Sequence, residues 1–204
     1  DEKVDAERTA APMPRPKPRL RGIPHLLGVI AAIPTVFFLI QAAQPGDHRE
    51  AAMVYGISLL CLLGSSALYH TPYWPKKIRG WIRSVDHAMI YVLIGGSYVP
   101  FLVALGDEAP SFVAPTVIVG CGLGMLQTIF WANAPRALRT TADMVVGCLA
   151  LLLVPAIYTK LGVDIFLLMI SGGVCYLVGA VVYARRYPDP NPLFPSGDGV
   201  QKTT

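Results

Sequence analysis

Ser66 and His70 stand four residues apart, just beyond the apolar run YGISLLCLLG of residues 55–64. On a helix that spacing puts a hydroxyl and an imidazole on one face, one turn apart. A second polar pair, Asp86 and His87, opens the apolar run that follows a basic stretch. His25 and Asp143 open two further apolar runs. An imidazole and a carboxylate converging from neighbouring helices suit a borderline divalent cation such as Zn²⁺. Ionisable groups entering a membrane bundle are costly and usually turn inward with a partner, which singles out Ser66, His70 and Asp86 as a group. Each residue also has a plainer reading. Asp86 and Asp143 could be first-turn acids favoured by the helix dipole, and His25 and His70 interfacial residues with wet tips.

The elements that must position these residues are membrane spans. Of the 204 residues 53% are hydrophobic and only 15% charged, with a mean hydropathy of +0.50, whereas soluble domains carry about a quarter charged residues. Six apolar runs near 23–43, 51–70, 87–105, 111–131, 142–159 and 164–184 are long enough to cross a bilayer, which takes about 20 residues. The fold expected is all-α, a polytopic bundle over 23–185, preceded by a disordered basic tail (1–22) and followed by an irregular tail (186–204) rich in proline and glycine. Glycines recurring within the runs read as helix-packing faces. Cys61, Cys121, Cys148 and Cys175 each lie inside an apolar run and form no CxxC, so they read as small buried apolar residues.

Charge sets the orientation. Twelve Lys and Arg residues flank the spans on one side: Arg15 to Arg21, Lys76 to Arg83, Arg136 and Arg139, and Arg185 and Arg186. Arg49 and Lys160 alone fall on the other. The positive-inside rule puts both termini in the cytoplasm of a protein of the plasma (inner) membrane. The basic residues sit in short clusters between spans rather than in one stripe, so the partner expected is the lipid bilayer, with a lipid substrate, and not a nucleic acid. His70, Asp86, His87, His25 and Asp143 then share one depth at the cytoplasmic face, with Ser66 one turn deeper. Asp86 and His87 are about 100° apart round a helix, so Asp86 is expected to face His70 and His87 to lie to the side.

The blocks GSSALYH (64–70), VDHAMIYVLIGGSYVPF (85–101) and GGVCYLVGAVVYARRYPDPNPLF (172–194), with HLLG at 25–28, resemble the hemolysin III branch of the progestin and adipoQ receptor superfamily. The likeness runs from about Arg19 to Phe194. It implies a seven-helix membrane fold with zinc near the cytoplasmic face, ligated by His70 and by two histidines of an HxxxH motif in the seventh helix. It also implies that Asp86 contacts zinc-bound water and that Ser66 lies beside the site. Eukaryotic relatives are linked to ceramide hydrolysis, and the bacterial branch was named for haemolytic activity. Two departures stand out. RLRGIPH lacks the glutamate and asparagine often found before the first-span histidine, and no HxxxH follows NPLF.

The expectation is therefore a hemolysin III-type membrane protein of six spans, apparently lacking the seventh helix, with a remnant zinc site for lipid-amide hydrolysis. There Asp86 would orient or deprotonate the water and Ser66 would hydrogen-bond nearby. Zinc would be weak or absent unless His25 substitutes as a ligand. The alternative is a non-enzymatic receptor-like or pore-associated protein. Reporter fusions at Gly46, Asp107 and Gly162 are expected to read outside, and those at Lys77, Ala137 and Gly197 inside. A cytoplasmic signal from the Asp107 fusion would overturn the topology.

Overall fold

A computed structural model describes residues 22–131 and 133–185; both tails expected from the sequence lie outside the described residues. Six helices are long and apolar enough to cross a membrane, and no strand occurs among the described residues. They are α1 (Ile23–Ala42), α2 (Asp47–His70), α3 (Lys76–Leu105), α4 (Val113–Phe130), α5 (Arg136–Cys148) and α6 (Val163–Arg185). The span begun by α5 continues through a 3₁₀ stretch (Leu149–Leu153), one α turn (Val154–Ala156) and a π turn (Ile157–Leu161).

Three helices, α2, α3 and α5, start earlier than the apolar pattern indicates, α3 and α5 by more than a turn. Hydropathy finds where the chain becomes greasy, but helical hydrogen bonding runs on until something interrupts it. For α3 and α5 the interruption is Pro75 and Pro135, each at the N-cap, whose carbonyls accept the first backbone bonds from Arg79 (3.0 Å) and Arg139 (3.2 Å). The consequence is a correction in depth: Asp86 and Asp143 are not first-turn acids. Each lies more than one turn inside its helix, where the macrodipole at the N-terminus contributes little.

The two ends of the bundle turn differently. At the end bearing His25 and His70, the 71–75 connection is tied by the Trp74 indole N–H, which donates to the Leu68 carbonyl (2.8 Å), and Arg83 of α3 donates to Asn133 (3.2 Å) just before α5. At the opposite end Gly46 and Gly162, both at φ +89°, make the turns into α2 and α6; no Cβ is tolerated comfortably there. Lys160 Nζ donates to the Leu105 carbonyl (2.7 Å) and pairs with Glu108 (3.4 Å), joining the π turn to the C-terminus of α3.

Packing is centred on α3, which lies against α2 and α4. Tyr91, Tyr98, Leu105, Val113, Val117, Cys121, Val146, Leu153 and Ile157 form the core. The Tyr98 hydroxyl donates to the Val146 carbonyl (2.8 Å), with that of Gly147 alongside at 3.0 Å. Those carbonyls lie in the last turn of α5, just before α geometry gives way to 3₁₀, and the tyrosine offers them a donor that lipid could not. The four cysteines are free, and only Cys121 is buried. Cys61, Cys148 and Cys175 lie on the exposed surface, correcting the expectation of burial: in a lipid-facing bundle an apolar run is no guide to which side faces inward. No residue of α6 between 163 and 182 is buried.

Gly124 faces the Tyr91 ring so closely that an added Cβ would collide with it, whereas Gly122 meets nothing within 4 Å. Gly124→Ala is expected to destabilise the bundle by about 1–3 kcal/mol, the usual cost of overpacking. Gly122→Ala should be neutral or slightly stabilising through helix propensity. Thermal unfolding of the two variants in detergent checks this; equal midpoints would refute it.

Candidate functional site

All six helices line one cavity of about 590 Å³, which gathers polar residues at the end of the bundle bearing His25 and His70. His25 comes from the first turn of α1 and Ser66 from the last turns of α2. Asp86 and His87 come from α3, Thr128 from α4, and Arg139 and Asp143 from α5. Thr140 of α5 and Tyr176 of α6 also line it, and the rest of the wall is apolar: Leu62 and Leu63 of α2, Ile90, Leu93 and Ile94 of α3, and Gly179 and Ala180 of α6. The cavity lies beside the loosely packed α6, where the bundle's close contacts stop.

Ser66 and Asp86 are the buried polar groups on the α2–α3 side, 8% and 7% exposed. Burying a carboxyl and a hydroxyl at this depth is unfavourable unless other polar groups compensate. Both Asp86 and His87 line the cavity, although they are neighbours in sequence. Asp86 is the more deeply buried, and His87 lies on the wall toward α5, within electrostatic range of Arg139.

His70 does not line the cavity. Its ring is stacked on that of His25, with centroids 5.0 Å apart and planes 13° from parallel, and Tyr69 packs edge-on at 4.6 Å. The two histidines thus meet across α1 and α2, but in parallel. The lone pair of an imidazole nitrogen lies in the ring plane, so two stacked rings aim their lone pairs side by side rather than at one point. Among the described residues no three His, Cys, Asp or Glu side chains are grouped so as to hold a metal ion. A catalytic zinc takes three protein ligands and a water; this donor set does not fit one.

One part of the site was missed by sequence reasoning. Tyr91 and Tyr176, from α3 and α6, converge on Asp143 of α5. The Tyr91 side chain is 2% exposed, and its hydroxyl approaches the Asp143 carboxyl without completing a hydrogen bond of good geometry. Tyr176 lines the cavity with Asp143. The available signal was the four-residue step from His87 to Tyr91, which puts the phenol on the imidazole's face of α3, one turn deeper.

A family model described as "Haemolysin-III related" matches residues 13–196. A hemolysin-3 homolog of Bacillus subtilis (strain 168) is 33% identical over 165 residues, covering 79% of this chain and 77% of that protein. Hemolysin-3 of Bacillus cereus is 30% identical over 166 residues, covering 79% and 75%. An adiponectin receptor protein of Drosophila melanogaster is 28% identical over 183 residues, 81% of this chain but 41% of the receptor. No solved structure matches.

Proposed function

We propose, for a chain that belongs to the Haemolysin-III related family, that the cavity admits a lipid and is the remnant of a zinc site for lipid-amide hydrolysis rather than a working one. The observation that carries this reading is the pairing of buried Ser66 and Asp86 on one cavity wall with histidines that do not converge. Polar groups kept at a cost inside a lipid-embedded bundle need something to hydrogen-bond, and an amphiphile's head supplies it. Leu62, Leu63, Leu93 and Ile94 offer the apolar surface its chain requires. Ser66 donates to or accepts from the head group, and Asp86 accepts from its N–H or O–H groups.

The orientation proposed has the cavity at the cytoplasmic face of the plasma membrane. It is supported by the twelve basic residues flanking the spans at that end against two at the other. Trp81, 70% exposed in the first turns of α3, stands where an aromatic ring anchors at the interface. A head group entering from the inner leaflet reaches the cavity without crossing the apolar core.

Most of a zinc site's binding free energy resides in the direct bonds, and outer-sphere residues such as Ser66 and Asp86 do not supply them. Purified chain is expected to hold well under one zinc per molecule, unchanged by His70→Ala or His25→Ala, and to leave a long-chain amide uncleaved. Stoichiometric zinc lost in both variants would overturn the remnant reading and establish a rebuilt site in which the two imidazoles have swung out of their stack.

A further inference from the structure

A second cavity, of about 660 Å³, opens at the end of the bundle away from His25 and His70, where the C-terminus of α1 meets α2 and α3. Packing explains its place. Deeper in the bundle, Gly96 of α3 lies so close to Ser58 of α2 that an added Cβ would collide with it. One turn further out, Pro100 stands inside α3 and withholds the N–H that would bond the Gly96 carbonyl. α2 sets only the small Ala51 and Ala52 against this level, so the helices leave a gap there. Gln44 and His48 stand at its mouth, and Tyr55 and Ser97 line it deeper, beside the Phe101 ring. Among the described residues no Asp, Glu, Lys or Arg lines it. Arg49, next to His48 in the chain, spends a guanidinium N–H on the Ala43 carbonyl (3.3 Å). The Ser97 hydroxyl donates to the Ile94 carbonyl (2.7 Å), which leaves its oxygen as an acceptor. The donors left to a ligand are the Gln44 amide, the His48 ring and the Tyr55 hydroxyl. An ionic head would find no carboxylate, ammonium or guanidinium to pair with, whereas an uncharged one with acceptor oxygens is served.

The spacing of the donors narrows the class. His48 and Tyr55 are seven residues apart, so they share one face of α2 at about 10.5 Å along the axis. The two oxygens of a para-quinone are roughly 5 Å apart by ordinary bond lengths. A hydrogen bond of about 2.9 Å at each end takes the span from donor to donor to about 11 Å. A cavity of 660 Å³ over that length is wider than a single hydrocarbon chain and takes a ring. We propose that this cavity binds the head of a lipid-soluble para-quinone, with Tyr55 donating to the deeper carbonyl oxygen and His48, beside Gln44, to the outer one. The role assigned is binding alone. The site shares no residue with the cavity at the other end of the bundle, and it does not depend on the reading of that cavity.

The test is equilibrium binding of a radiolabelled decyl-substituted para-benzoquinone to the full chain in detergent, with decylbenzene as the matched probe that keeps ring and chain but lacks both oxygens. Wild-type protein is expected to bind the quinone saturably, and decylbenzene at least about tenfold more weakly, the worth of two neutral hydrogen bonds. Tyr55→Phe and His48→Ala should each weaken quinone binding by about fivefold and leave decylbenzene unchanged. Ala43→Trp, which fills the mouth, should abolish quinone binding, and Ala180→Trp, in the other cavity, should not alter it. Equal binding of the two probes overturns the inference, as does quinone affinity unchanged in both Tyr55→Phe and His48→Ala. Quinone binding lost in Ala180→Trp but kept in Ala43→Trp places the ligand in the other cavity and also overturns it. If Tyr55→Phe does not fold, His48→Ala and Ala43→Trp, both at the mouth, decide alone, and binding unchanged in both overturns the inference.

Discussion

Close approach of helices at small residues is the constraint on which the rest of this structure depends. Lipid tails are as apolar as leucine, so helices do not associate in a bilayer merely to hide from solvent; they associate where backbones can come near enough for dense packing. Three crossings show it. Gly56 of α2 receives Val36 of α1, Gly96 of α3 receives Ser58 of α2, and Gly124 of α4 receives the Tyr91 ring of α3. A methyl group at any of these would occupy space already filled. Together they lock α1 to α4 into one row, and that row fixes the depth at which Ser66, Asp86 and His25 meet.

The cavity begins where this device ends. Gly172, Gly173 and Gly179 of α6 meet nothing within 4 Å, and α6 buries no residue between 163 and 182. α6 is held through its short turn at Gly162, its contact with the π turn, and a limited contact with α5. A helix anchored at one end and loosely packed at the other leaves a lateral slot. The polar residues of α1, α2, α3 and α5 face that slot, and so the most expensive side chains in the bundle stand where packing is weakest.

Much of the fold was legible because hydropathy is a strong signal over 18–20 residues: all six spans lie where the apolar runs fall. The helix starts were not, because helix and hydrophobic run are different things, and for α3 and α5 the charged turns beyond Pro75 and Pro135 remain helical. That error in length is what left a first-turn reading open for Asp86 and Asp143. The grouping of Ser66 and Asp86 was legible from spacing and order. The parallel stacking of His25 and His70 was not, since a sequence can place two rings at one depth but cannot set their relative tilt. Nor was the convergence of Tyr91, Tyr176 and Asp143, which joins three helices through the tight contact at Gly124.

The distribution of polarity bears on what kind of work such a bundle does. At one end lie the cavity and its ionisable residues; at the other, Lys160, Glu108 and the Leu105 carbonyl form a small closed network. Between them lies the core of Tyr98, Val117, Cys121, Val146 and Leu153, in which the Tyr98 hydroxyl is spent on the Val146 and Gly147 carbonyls of α5. Passing an ion from one end to the other would mean stripping its hydration against that core, which offers no row of acceptors to replace the lost water. A lipid faces no such barrier. Its chain stays in apolar surroundings throughout, and only its head must find partners, which the cavity gathers at a single depth. Among the described residues the ionisable side chains therefore gather at the two ends of the bundle rather than in a row through it.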